Sequence, residues 1–108
     1  MTTGLEPALV HYFAATNEHD AAEMVAAFAE EAVVRDEGQE HRGLVAIRSW
    51  IEATIGKYDY RVDPIDSSRI GAKTVVRVSV YGGFSGSPIT LRYEFTVDHQ
   101  RIARLEIS

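Results

Sequence analysis

The clearest candidate for chemistry is a carboxylate that follows an apolar run. Residues 32–34 are an apolar run within a predicted short strand at 32–36, and Asp36 comes two positions after Val34 in the segment VVRDEGQEHRG. Side chains on a β-strand alternate between faces, so Asp36 shares a face with Val34 while Arg35 points the other way. If Val34 faces the core, Asp36 faces inward too. Lost solvation would then raise the Asp36 pKa and make it a candidate general base.

A second interpretation of Asp36 stays open at this point. The sequence Asp-Glu-Gly is good turn chemistry, and the Asp36 carboxylate could simply bond the backbone of Gly38. A carboxylate buried without a partner would cost several kcal/mol or take up a proton, whereas a cavity beside it lowers that cost. We therefore expect Asp36 to face a pocket, with a pKa above the ordinary value of about 3.9.

Two tyrosines could supply hydrogen-bond donors beside such a base. Tyr12 lies on the apolar stripe of a predicted helix, and Tyr93 lies on the apolar face of an alternating strand. A phenolic hydroxyl that faces a pocket can donate to a developing oxyanion, although each ring could equally be core or pocket wall. The candidate catalytic set is therefore Asp36, Tyr12 and Tyr93.

Other side chains are candidates for ligand contact. Near Tyr93, Leu91 and Phe95 share the same strand face, while Trp50 and Phe28 are large apolar residues suited to core or pocket wall. His41 could shuttle protons near neutral pH or lie solvated in a loop. The candidate ligand-binding residues are Phe28, His41, Trp50, Leu91 and Phe95.

Metal and nucleotide chemistry find little support in the sequence. No two histidines share metal-ligand spacing with a carboxylate on one predicted element, and cysteine is absent. The glycine-rich segment GGFSGSP matches neither phosphate-binding glycine pattern. We therefore expect neither a metal nor a cofactor.

The elements that must position these residues follow from hydrophobic periodicity. Helical stripes predict helices over residues 5–16, 21–28 and 44–55, the last ended by Gly56, with a short strand at 32–36. Period-two alternation predicts strands at 58–62, 73–81, 89–97 and 102–107, with a turn region at 67–73. The pattern is α+β: three N-terminal helices packed on one face of a curved, mainly antiparallel sheet that encloses a pocket.

Composition narrows the class of protein. The chain has 108 residues and ordinary globular composition, so we expect one domain spanning residues 1–108. A net charge of −5 argues against nucleic acid or an anionic membrane as a partner. Neither a signal peptide nor an apolar run of membrane-spanning length is visible, so we expect a cytoplasmic protein.

The order of elements resembles the nuclear transport factor 2-like superfamily, which includes ketosteroid isomerase and the SnoaL-like polyketide cyclases. The resemblance covers nearly the whole chain, and its most telling stretch is FAEEAVVRDEGQEHRGLVAIRSW. It implies a cone-shaped fold, a general base at Asp36 and an oxyanion donor at Tyr12. The second donor of the isomerase, a protonated Asp, falls at Tyr93, which is a departure. The resemblance also implies a homodimer.

The expected function is proton transfer, without a cofactor, on a small and largely apolar carbonyl compound by an isomerase, cyclase or dehydratase. Two alternatives remain open. The pocket could hold an apolar metabolite without turnover. The protein could instead be a dimerisation domain that pairs two copies through the outer sheet face around Arg77, Ser79 and Tyr81.

Overall fold

Three helices lie before residue 60 in the computed structural model, which describes residues 5–108. They are α1 (Pro7–Asn17), α2 (Ala21–Ala26) and α3 (Leu44–Tyr58). Proline is tolerated at the start of α1 because the first helical N–H groups have no partner within the helix. The Asp20 side chain caps α2 by accepting a 3.1 Å hydrogen bond from the Glu23 amide. None of the helices in residues 5–108 has the length and apolar composition needed to cross a bilayer.

The strands form one six-stranded sheet. They are β1 (Phe28–Asp36), β2 (Gln39–Arg42), β3 (Tyr60–Ile70), β4 (Lys73–Gly82), β5 (Ile89–Asp98) and β6 (Arg101–Ile107), in the order β2-β1-β6-β5-β4-β3. Neighbouring strands are antiparallel except β1 and β6, which are parallel. The sheet is curved and unclosed, and the helices pack against it, which confirms the predicted α+β class.

Four predicted boundaries are wrong. The second helix ends at Ala26, and Phe28 instead opens β1, where it is the register partner of Ile102 on β6. Gly56 lies inside α3, which ends only where Asp59 takes a left-handed φ of 45°. Tyr58, predicted as the start of a strand, is therefore helical, and β3 begins at Tyr60. The region predicted as a turn, 67–73, is mostly strand, because β3 pairs with β4 as far as Ile70.

Strand β2 has no hydrophobic periodicity that would predict it, because it is only four residues long and polar. It pairs with β1 through a two-residue turn in which Glu37 and Gly38 have φ values of 52° and 75°. Two successive positive φ values are the signature of the tight hairpin turns that match strand twist. The hairpin fixes the end of β1 and therefore the position of Asp36.

Successive rows of inward side chains cross the sheet. One row contains Val34, Leu105, Phe95 and Thr74, which are direct register partners and all buried. Helix α1 fills the space above this row, with the Phe13 ring centroid 5.7 Å from that of Phe95. Helix packing thus closes the core at this level of the sheet.

The next row opens onto a cavity. Tyr93 is the register partner of Ile107 on β6 and of Val76 on β4. Since Val34 on β1 pairs with Leu105, the same parallel register brings Asp36 level with Ile107. Asp36 and Tyr93 therefore lie on the same face of the sheet, on either side of β6.

Candidate active site

A cavity of about 640 Å³ lies between α3, the β1–β2 turn and the inner face of the sheet. This volume falls within the range of about 300–1,000 Å³ that is typical of small-molecule sites. Most of its wall is aromatic or aliphatic, with a few polar groups. The lining residues are Arg35, Asp36, Glu37, Gly38, Trp50, Thr54, Tyr58, Tyr60, Val80, Phe84, Ser85, Ile89, Leu91, Tyr93, Glu106, Ile107 and Ser108.

Asp36 is a partly buried carboxylate in this wall. The Trp50 indole Nε1 donates a hydrogen bond to Asp36 Oδ2 over 3.1 Å. Burial raises the pKa of Asp36, and the negative charge of Glu37 adds to the rise. The Trp50 hydrogen bond, a hydrogen bond from the Glu37 backbone and the nearby His41 act in the opposite direction without cancelling it. The direction agrees with the expectation for an inward carboxylate and makes Asp36 a stronger base than an exposed Asp.

One face of α3 supplies the opposite wall. Trp50, Thr54 and Tyr58 recur every four residues, which places them one above another on the helix. The Tyr58 hydroxyl donates a 2.9 Å hydrogen bond to Glu37 Oε1, and the Tyr58 ring packs edge-on against Phe84 with centroids 5.7 Å apart. Sequence reasoning missed Thr54, Tyr58 and Glu37, although the spacing from Trp50 carries the signal for the first two.

Two further phenols line the cavity beside Asp36. Burial raises the pKa of Tyr60 to about 12 and that of Tyr93 well above its ordinary value, and the Asp36 charge adds to both. Both phenols therefore stay protonated at neutral pH and remain hydrogen-bond donors. Tyr60 was not among the predicted site residues, although its alternation with Val62 placed it on an inward face.

Tyr12 lies one layer behind the cavity wall and does not line it. The residue is 1% exposed, and its ring makes edge contacts with Phe28 and Phe95 at centroid distances of 5.5 and 6.0 Å. Burial raises the pKa of Tyr12 well above its ordinary value, with smaller contributions from Tyr60, Tyr93 and Asp36. The expectation that Tyr12 faces the pocket is therefore wrong in this structure, because the aromatic core around α1 encloses it.

The predicted ligand-binding residues divide into two groups. Trp50 and Leu91 line the cavity with Asp36 and Tyr93. Phe28 and Phe95 belong to the closed core, with exposures of 1% and 0%. His41 stacks behind Trp50, with ring centroids 5.9 Å apart, and is not part of the wall. Phe28, Phe95 and His41 are corrected because they face α1 or Trp50 and not the cavity.

Within residues 5–108, no three His, Cys, Asp or Glu side chains converge in a way that could hold a metal ion. The polar groups that line the cavity can accept and donate protons.

Comparison with known proteins assigns the family. A family model described as a SnoaL-like domain matches residues 9–105. The chain belongs to the SnoaL-like domain family. This result confirms the resemblance to the nuclear transport factor 2-like superfamily. No curated protein sequence matches the chain.

Solved structures agree with the family assignment. A Sinorhizobium meliloti protein, provisionally described as a polyketide cyclase, is 43% identical and superposes with a TM-score of 0.91 over 96% of this chain and 95% of that chain. A Catenulispora acidiphila protein with a ketosteroid isomerase-like fold, solved with trimethylamine, is 16% identical over 96% of this chain and 86% of that one, with a TM-score of 0.81. The epoxide hydrolase/cyclase-like enzyme SalBIII, which acts in pyran ring formation in salinomycin, is 20% identical over 93% of this chain and 85% of that one, with a TM-score of 0.80. The last two show the fold alone.

Proposed function

We propose that this SnoaL-like protein catalyses proton transfer on a neutral carbonyl compound, in an isomerisation or a cyclisation, with Asp36 as the general base. One observation carries the proposal. A partly buried carboxylate with a raised pKa lies in an aromatic cavity, next to two phenols that stay protonated. An acceptor and protonated donors in one apolar cavity are what enolisation of a ketone requires.

The chemical step uses these groups in sequence. The Asp36 carboxylate takes a proton from the carbon next to the carbonyl group. The electron pair of the broken C–H bond forms the enolate double bond, and negative charge moves to the carbonyl oxygen. Tyr60 and Tyr93 donate hydrogen bonds to that oxygen as its charge grows.

Two outcomes follow from the same enolate. Return of the proton from Asp36 to a different carbon gives an isomer of the substrate. Attack of the enolate carbon on a second carbonyl group forms a carbon–carbon bond and closes a ring, and the resulting alkoxide takes the proton back from Asp36. The 43% identity to the Sinorhizobium meliloti protein, provisionally described as a polyketide cyclase, favours the second outcome.

Exchange of solvent deuterium into a ketone tests the first step without knowledge of the natural substrate. A panel of neutral cyclic ketones in deuterated water is followed by proton NMR with and without the protein. We expect the native protein to accelerate exchange at the carbon next to the carbonyl group. Asp36→Asn should lose most of this acceleration, because a general base contributes about 100- to 10,000-fold.

Asp66→Asn is the matched control. This carboxylate is exposed, pairs with Arg77, and does not line the cavity beside Asp36. It should leave exchange unchanged. An Asp36→Asn protein that exchanges at the native rate would overturn the assignment of the base. Ketone binding without any exchange would instead favour a non-catalytic binding protein.

A further inference from the structure

The cavity has a second carboxylate at its rim that the proton-transfer step does not use. Glu37 follows Asp36 in the hairpin turn, and its side chain is 54% exposed. The Tyr58 hydroxyl donates to Glu37 Oε1 over 2.9 Å, while Lys57 Nζ lies 4.0 Å from Oε2. The carboxylate is thus held in place by contacts from α3. Each carboxylate oxygen can accept more than one hydrogen bond, so Glu37 can still accept from a ligand.

The rim around Glu37 also suits positive charge. Lys57 Nζ lies 5.0 Å from the centroid of the Tyr58 ring, a cation–π contact within the protein itself. Phe84 adds a second aromatic ring beside Tyr58. Aromatic faces and a fixed carboxylate together favour cations and hydrogen-bond donors over anions.

The other charges of the cavity reinforce this preference. Among the charged residues that line the cavity, Asp36, Glu37 and Glu106 carry carboxylates and Arg35 carries a positive charge, so the lining is acidic on balance. A ligand that reaches Asp36 through this rim therefore passes acidic groups. A second carboxylate on the ligand would meet repulsion at Glu37.

We propose that Glu37 is a specificity-determining residue, which selects carbonyl compounds whose distal end carries a hydroxyl or ammonium group and rejects those that carry a carboxylate. The carbonyl end lies at Asp36, Tyr60 and Tyr93, and the donor end lies at Glu37. The inference rests on the proposed function for the orientation of the carbonyl group. It adds the class of substrate and the residue that sets it.

Binding can be measured without turnover, because the chain has one tryptophan, Trp50, and it lines the cavity. Quenching of its fluorescence is titrated with three tetralones that carry a hydroxyl, an aminomethyl or a carboxyl group at the same ring position. The native protein should bind the carboxyl compound about fivefold to tenfold more weakly than the hydroxyl compound, from charge repulsion at the rim. Glu37→Gln should remove most of that difference.

Two variants sharpen the test. Glu40→Gln removes an exposed carboxylate that pairs with Arg42 and does not line the cavity, so discrimination should persist. Tyr58→Phe keeps the ring but frees Glu37 from its hydrogen bond, so discrimination should weaken. Equal binding of all three tetralones by the native protein, or unchanged discrimination in Glu37→Gln, would overturn the proposal. Discrimination between the tetralones without deuterium exchange would support the role of Glu37 and contradict the proposed catalysis. Deuterium exchange without discrimination would support the proposed catalysis and contradict the role of Glu37.

Discussion

Trp50→Phe is the most informative single change, because it removes one defined contact from the proposed base. The indole Nε1 donates to Asp36 Oδ2 over 3.1 Å, and phenylalanine has no group that can replace this donor. The hydrogen bond favours the ionised carboxylate, and it opposes the rise in the Asp36 pKa that burial causes. Its removal should therefore raise that pKa further.

The size of the effect follows from the environment of Asp36. A hydrogen bond to a charged group contributes about 1.5–3 kcal/mol, and the lower end applies because Asp36 is only partly buried. About 1.5 kcal/mol corresponds to about a tenfold increase in proton affinity. The smaller ring should also cost roughly 1–2 kcal/mol of folding stability through lost packing, at any pH.

Carbon-detected NMR titration of the Asp36 carboxyl group measures the change directly. Urea unfolding separates the loss of packing from the loss of the hydrogen bond to the ionised carboxylate. The packing loss lowers the free energy of unfolding at any pH, whereas the second loss disappears at about pH 3, where Asp36 is protonated. The same substitution in an Asp36→Asn background serves as the control and should lose only the pH-independent part. An Asp36 pKa that is unchanged or lower in Trp50→Phe would refute this reasoning.

Three further predictions concern stability and assembly. The raised Asp36 pKa means that the protonated carboxyl group stabilises the fold below about pH 3.9, and this contribution is lost as pH rises through the raised pKa. Asp36→Asn should therefore increase the free energy of unfolding at neutral pH but not at about pH 3, as measured by urea unfolding. Gly82→Ala should destabilise by about 1–3 kcal/mol, since its Cβ would lie 2.5 Å from the Asp59 carbonyl oxygen, whereas Gly83→Ala meets nothing within 4 Å and should be tolerated in thermal unfolding. We also propose a homodimer through the outer sheet face, so light scattering should give twice the chain mass, and Ser79→Arg should reduce it to one chain.

Strand alternation alone was enough to predict the inward direction of Asp36. Val34 is fully buried, and a residue two positions later on the same strand must share its face. By the same alternation, Tyr93 and Leu91 are predicted on the inner face of β5, where both line the cavity. The alternation of side chains is a local property of a strand, and this is why it can be predicted from the sequence.

Depth within the fold could not be predicted in the same way. Phe95 and Tyr93 share one strand face, and both rings lie 5.7 Å from that of Phe13 on α1, yet Phe95 is also covered by Tyr12 and Tyr93 lines the cavity. The difference depends on where α1 crosses the sheet, which is a tertiary property. The same limit explains why Tyr12 was expected in the pocket although it lies behind the wall.

The position of Glu37 at the rim of the cavity could not be predicted for a different reason. Its turn adopts two positive φ values without the Asn-Gly or Asp-Gly pair that usually announces such a hairpin. Its hydrogen-bond partner Tyr58 is 21 positions away, at the end of a helix that continues past Gly56. A contact of this kind follows only once the hairpin and the helix end are fixed.

The pH dependence of deuterium exchange in a bound ketone tests the central claim most directly. If Asp36 is the base, the rate should rise with pH through the pKa that NMR assigns to the Asp36 carboxyl group and then level off, because ionisation is complete. Asp36→Asn should abolish that titration. A rate that keeps rising with hydroxide concentration, or the same profile in Asp36→Asn, would contradict the claim that Asp36 is the base.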